Sequence, residues 1–146
     1  MSYQDKIPKI IDTEKLYITG QSRSDKCPVI SILIAGKNAT YEKIDSAMKE
    51  ISSELDEYIK ENNSKFYLLV RKKDYTKVDG AWHACAWARD HGVEYETFEP
   101  GFSDKAMIER SWNVPKHYLL MLGKDYTFQK KVKDRWGNDG IIRKVK

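Results

Sequence analysis

Hydrophobic and polar positions change rhythm several times along this chain, and each rhythm predicts an element. Val29-Ile30-Ser31-Ile32-Leu33-Ile34-Ala35 is a nearly unbroken run of β-branched and aliphatic residues. A strand covered on both faces has this pattern, because neither face tolerates a polar alternate. Gly36-Lys37-Asn38 breaks it. Tyr41, Ile44, Ala47, Met48, Ile51, Leu55, Tyr58 and Ile59 then recur at three- and four-residue gaps. That spacing predicts one long amphipathic helix, with Thr40 as its N-cap and Asn62-Asn63-Ser64 as its end.

Phe66-Tyr67-Leu68-Leu69-Val70 predicts a second buried strand. A small-residue helix follows from about Val78 to His91, with Gly92 as its stop. Val93 to Phe98 alternates, as a strand nearer an edge does, and the glutamates Glu94, Glu96 and Glu99 are expected to face solvent. Ser103 is placed to cap a short helix that runs to about Trp112 and is closed by Pro115. His117 to Leu122 predicts a fourth strand, and Thr127 to Arg135 a basic helix. Gly137-Asn138-Asp139-Gly140 is a turn signal before a last strand, Ile141 to Val145.

Five strands thus alternate with four helices. The expected class is α/β: a single Rossmann-like domain over residues 29–146, with an open, mainly parallel five-stranded sheet and helices on both faces. Residues 1–28 mix short apolar groups with polar loops and are expected to form an N-terminal extension packed on that domain.

The length, 146 residues, suits one domain, and 40% hydrophobic with 33% charged residues suits a globular one. No apolar run approaches the length that crosses a bilayer, and no secretory h-region follows the first residues. Cys27 and Cys85 lack the spacing of a disulfide framework or a zinc site, so the expected compartment is a reducing cytoplasm, with Cys85 a small buried hydrophobe. The net charge of +4 is uneven. Lys124 to Lys146 holds eight Lys/Arg against three Asp/Glu, a net of +5, which leaves −1 for the rest. Lys130, Lys131, Lys133 and Arg135 are therefore candidates to meet an acidic protein or nucleic acid.

In an open parallel sheet, ligands bind beyond the carboxyl ends of the strands, where the strand order reverses. Three loops expected there carry a cation: Gly36-Lys37-Asn38, Arg71-Lys72-Lys73 and Gly123-Lys124-Asp125. With helix N-terminal N–H groups beside them, they form a candidate anion site. Candidate ligand-binding residues are Gly36, Lys37, Asn38, Lys73, Asp79, Gly80, Trp82, Gly123 and Lys124. The lysines would hold phosphates, Asp79 a ribose hydroxyl, and Trp82, in the first turn of its helix, would stack on a ring. The alternative for Trp82 is plain core packing. There is no GxGxxG, no GxxxxGK[ST] and no GxSxG, and Cys85 lies mid-helix among alanines with no obvious activating base. No catalytic residue, cofactor or metal site is assigned. His83 and His91, eight residues apart, lack the usual spacing of a metal pair, and His91 reads as a cation near a helix C-terminus. Glu109 and Arg110 are the other candidates for reaching the pocket.

From about Ile30 to Val145 the chain resembles a divergent member of the SLOG superfamily, in particular its YspA-like branch. The resemblance rests on Ile32-Leu33-Ile34-Ala35-Gly36-Lys37-Asn38, on Asp79-Gly80-Ala81 with Ala84, Ala88 and Gly92-Val93, on Phe98-Glu99-Pro100, and on Leu119-Leu120-Met121-Leu122-Gly123. It implies a Rossmann-like fold that binds a nucleotide-derived ligand. Where the family has a Gly-Gly turn after strand two, this chain has Arg71-Lys72-Lys73-Asp74, and the family's Gly-Ala-Asp stands here as Asp79-Gly80-Ala81. The expected function is binding of a phosphate-bearing, nucleotide-derived small molecule. Two alternatives stand beside it. One is an interaction or inhibitor protein, phage-encoded and directed at host defence or nucleic acid through its basic end. The other is a hydrolase of N-glycosidic bonds using Asp79 or Glu109. Self-association into a homo-oligomer is compatible with each.

Overall fold

A computed structural model of the chain describes residues 28–36, 40–72 and 80–145. Residues 1–27 of the N-terminal extension, and with them Cys27, lie outside the described residues. So do Lys37, Asn38, Lys73 and Asp79.

The described elements run β1 (Val29–Gly36), α1 (Tyr41–Glu54), α2 (Asp56–Asn62), β2 (Lys65–Arg71), α3 (Gly80–Asp90), β3 (Glu94–Phe98), α4 (Asp104–Trp112), β4 (Lys116–Leu122), α5 (Tyr126–Trp136) and β5 (Ile141–Lys144). The five strands form one sheet in the order β3-β2-β1-β4-β5. Every pairing is parallel. The fold is therefore the expected α/β open sheet, and its parallel character is complete.

Two cores explain the continuous apolar runs. On one face, Ile30, Ile32 and Ile34 of β1 and Leu68 and Val70 of β2 pack against Ile44, Met48 and Ile51 of α1 and Ala81, Ala84 and Ala88 of α3. On the other, Leu33, Ala35, Tyr67 and Leu69 pack against Met107 and Ile108 of α4 and Phe128, Val132 and Trp136 of α5. Alternate residues of a strand point to opposite faces, so a strand covered twice must be apolar throughout. The alanines of α3 let that helix lie close to the sheet, and Cys85 is buried among them.

Three local expectations are corrected. The first long helix divides at Leu55, whose φ of −105° and ψ of 17° leave the helical region, although its N–H still reaches the Ile51 carbonyl at 3.0 Å. Ser103 holds the N-cap position of α4 but makes no side-chain capping bond. Glu94 is buried, and Glu96 is half-buried because it accepts from the buried Tyr67 hydroxyl at 2.7 Å and from Arg110. Only Glu99 of the three glutamates is exposed. Thr40 does cap α1, its hydroxyl accepting from the Lys43 N–H at 3.3 Å.

Candidate functional site

The chain moves outward from β1 to β2 and β3, then crosses back to lay β4 on the opposite side of β1. The order therefore reverses between β1 and β4, and the crevice outside their carboxyl ends is the place such folds offer to a ligand. Gly36 lies in register with Leu122 there, and Gly123 follows at once. Their φ values are +108° and +109°, backbone that a side chain strongly disfavours. At Gly36 a second constraint applies. A Cβ there would lie 2.2 Å from the Leu122 carbonyl oxygen, so the two strand ends approach closely only because one is glycine.

Four helix starts surround this edge, and they differ in charge. Those of α4 and α5 are filled from within the protein. Asp104, in the first turn of α4, is 1% exposed. It accepts from Arg71 Nε at 2.7 Å, from Arg71 Nη2 at 3.1 Å and from Lys131 Nζ at 3.1 Å. Asp125, the N-cap of α5, accepts from the Phe128 N–H at 3.1 Å and from Arg71 Nη1 at 2.5 Å. The Arg71 guanidinium also lies 4.4 Å over the Phe128 ring. Two cations and two carboxylates make a neutral quartet. It ties the end of β2 to the starts of α4 and α5.

Burial pushes the Asp104 carboxyl up, but the hydrogen bonds from Arg71 and Lys131 and the Arg71 charge outweigh it and hold the carboxyl below its ordinary 3.8. Burial likewise opposes the charge of Arg71, and Asp104 and Asp125 more than restore it. A bidentate guanidinium–carboxylate pair of this kind is strong and directional. It also means that Arg71, which opens one of the three expected cationic loops, holds two carboxylates of its own protein. Lys72 is buried, and its N–H donates to the Phe98 carbonyl at 2.8 Å, extending the β2–β3 ladder by one bond.

The start of α1 has a neutral cap, Thr40, and adjoins the end of β1. The start of α3 is Gly80, buried, with Trp82 half-buried in the first turn and edge-on to the His83 ring at 5.7 Å. Gly36, Gly80, Trp82, Gly123 and Lys124 thus all belong to the carboxyl edge. Lys37, Asn38, Lys73 and Asp79 lie outside the described residues.

Other candidates are engaged elsewhere. Glu109 is bound by Arg135 across the α4–α5 groove, and Arg110 by Glu96. Neither is turned toward the crevice. His91 Nδ1 donates at 2.8 Å to the Trp87 carbonyl at the end of α3, and its ring stacks on that of Trp87. In the basic segment, Lys130 pairs with Asp134, Lys131 with Asp104 and Arg135 with Glu109. Arg143 pairs with Glu50 and Glu54 of α1. Lys133 is exposed and has no ion pair among the described residues.

Asp104 and Asp125 are not among the candidates that the sequence marks. The signal for both was local: an aspartate at the first position or cap of a helix, where its charge is favoured. Nothing local pointed to Arg71 as their common partner, 33 and 54 residues away.

No known protein family, curated protein or solved structure matches this chain.

Proposed function

We propose that this protein binds a phosphate-bearing, nucleotide-derived small molecule in the crevice where the strand order reverses. The observation that carries the reading is the pair Gly36 and Gly123, adjacent at the ends of β1 and β4, which gives the crevice a floor of backbone without side chains. A phosphate can approach such a floor and take N–H donors from it. The α1 start is the favoured seat, since its cap is neutral and the acidic residue of its first turn, Glu42, is exposed to solvent, whereas the buried Asp104 and half-buried Asp125 already occupy the starts of α4 and α5 with negative charge. Lys37 and Asn38 belong to the same loop in sequence, and Lys73, Asp79, Gly80 and Trp82 to the neighbouring one. Lysines hold the phosphates, Asp79 a ribose hydroxyl, and Trp82 stacks on the base. Nothing in this reading requires a reaction.

The experiment is thermal unfolding of the purified protein with a panel of nucleoside mono-, di- and triphosphates and cyclic nucleotides. A ligand at a hundred times its dissociation constant stabilises by about 2.7 kcal/mol, enough to shift the midpoint by several degrees. A midpoint unmoved by every member of the panel overturns the reading. Replacement of Trp82 by alanine is expected to weaken the response to bases more than the response to inorganic phosphate.

A further inference from the structure

Three large hydrophobic side chains are exposed among the described residues, and two of them, Phe102 at 89% and Tyr126 at 66%, stand at the carboxyl edge of the sheet. Phe102 lies in the turn between β3 and α4, and Tyr126 opens α5. Their backbone is held in place. The Ser103 N–H donates to the Glu99 carbonyl at 3.0 Å and closes the turn that carries Phe102. Asp104, two residues on, and Asp125, one residue before Tyr126, both bind the Arg71 guanidinium. One cation thus fixes the two helix starts, and with them the two rings, side by side. A single exposed apolar residue is ordinary on a protein surface. The chain treats its other rings differently. Arg71 lies 4.4 Å over Phe128, Arg135 4.2 Å over Trp112 and Arg110 5.9 Å over Phe98. Phe102 and Tyr126 have no such cover among the described residues.

The charge around the rings is also distinct from the paired charge of the α4–α5 groove. Asp104 and Asp125 are neutralised by Arg71 and Lys131. The other charged groups on these two turns are Lys105, Lys124 and Glu99, all exposed. Neither lysine has an ion pair among the described residues. Two open cations therefore face one carboxylate. Each lysine stands close to one ring, Lys105 three residues after Phe102 and Lys124 two before Tyr126.

We infer that this edge binds single-stranded nucleic acid: bases stack on Phe102 and Tyr126, and the phosphates run past Lys105 and Lys124. Unpaired bases have flat π faces to lay on bare rings, and rings interleaved with lysines hold a single strand without reading its sequence. A duplex keeps those faces inside its own stack. An acidic protein surface would engage the lysines and leave the rings without a role. The inference does not rest on the crevice reading, although Lys124 is common to both, because Phe102 lies on the α4 turn, away from the loops of Gly36 and Gly123.

Fluorescence anisotropy of a labelled oligothymidylate of about a dozen residues, titrated with the full chain, tests it. Binding is expected to weaken steeply between about 50 and 200 mM salt. A duplex of the same length is expected to bind less tightly. Phe102→Ala and Tyr126→Ala should each weaken binding by about fivefold or more, as the loss of one stacked base requires. Circular dichroism and the unfolding midpoint verify that these exposed positions leave the fold intact. Lys105→Gln should lower the slope of log affinity against log salt by about 0.7. Ile141→Ala, at the third exposed hydrophobic, is expected to change nothing. Absence of binding at the lower salt overturns the inference, and so does an affinity unchanged in both ring variants. A duplex bound as tightly as the single strand overturns it as well, as does polyglutamate that displaces the oligonucleotide as well as an unlabelled single strand does. Phe102→Ala should leave the thermal response to mononucleotides unchanged, so this inference and the crevice reading fail separately.

Discussion

Arg71, the last residue of β2, grips the buried carboxylate of Asp104 with two hydrogen bonds of 2.7 and 3.1 Å. The pair joins the second strand to the fourth helix across 33 residues of sequence. Removing Arg71 leaves the buried Asp104 with Lys131 as its remaining cation and strips Asp125 of its partner, so the cost falls at the low end of the about 3–5 kcal/mol typical of a broken buried pair. Arg71→Met is therefore expected to lower unfolding stability by about 3 kcal/mol. Arg71→Met with Asp104→Asn is expected to cost less than the sum of the two single changes, by about 1 kcal/mol or more. Urea unfolding of the four proteins measures this. Strict additivity would mean that the two groups do not interact energetically.

The same pair sets an acid limit on stability. The folded Asp104 carboxyl lies below its ordinary 3.8, so the folded state holds the ionised form more tightly than the unfolded chain does. At pH values above the unfolded pKa this contribution is fully present. It is lost as the pH falls toward and through the lowered folded value, because the unfolded chain then binds the proton first. Urea midpoints taken at falling pH below about 5 should therefore decline in the native protein, and less steeply in Asp104→Asn. Equal slopes in the two proteins would assign the acid sensitivity to other carboxylates.

Gly36 and Gly92 both have positive φ, yet they should respond differently to alanine. At Gly92, φ is +65° and a Cβ would meet nothing within 4 Å, so only the left-handed backbone is strained. Gly92→Ala should cost about 1 kcal/mol. At Gly36, φ is +108° and the Cβ would lie 2.2 Å from the Leu122 oxygen. No flexible side chain can give way there, so β1 and β4 must part. Gly36→Ala should cost more than about 4 kcal/mol or prevent folding. Comparison of unfolding midpoints, with soluble yield for Gly36→Ala, decides between a packing role and a merely conformational one.

The contrast between those glycines marks what the sequence makes legible. Gly36 stands after an unbroken apolar run, and such a run requires cover on both faces, which fixes a parallel sheet. The bounds of β1, β2, β4 and α3 followed from that local rule to within about two residues. The cap at Thr40 was equally local. What did not follow was tertiary. Arg71 looks like part of a basic loop until its partners at 104 and 125 are placed around it. Glu94 and Glu96 alternate like solvent-facing residues, but Glu94 is buried and Glu96 is drawn in by the Tyr67 hydroxyl and Arg110. The charges of the basic end are spread along one helix in sequence, yet in space Lys131 and Arg135 meet carboxylates from α4. Periodicity reports which face is buried, and it is silent on which distant charge arrives there.

Asp125 allows the phosphate seat to be tested by a gain rather than a loss. In the native protein its carboxylate caps α5 and takes Nη1 of Arg71 at 2.5 Å. Serine in its place keeps an oxygen for the Phe128 N–H, since serine is an equally good cap. It also removes one negative charge and releases one guanidinium N–H at the carboxyl edge. The quartet of Arg71, Asp104, Asp125 and Lys131 then changes from neutral to a net of +1. Asp125→Ser is expected to bind inorganic phosphate or sulfate at the start of α5 about tenfold more tightly than the native protein, as a charge-assisted bond would provide. Phosphate titration followed by thermal unfolding reads this directly. Unchanged anion binding would show that this helix start is not an anion site even when emptied. The response of the nucleotide ligand then separates the two ends of the crevice. If its phosphates sit beside β1, at the neutral cap of Thr40, its affinity should change far less than that of free phosphate. An equal rise for both would move the phosphates to the loop of Gly123 and Lys124 instead.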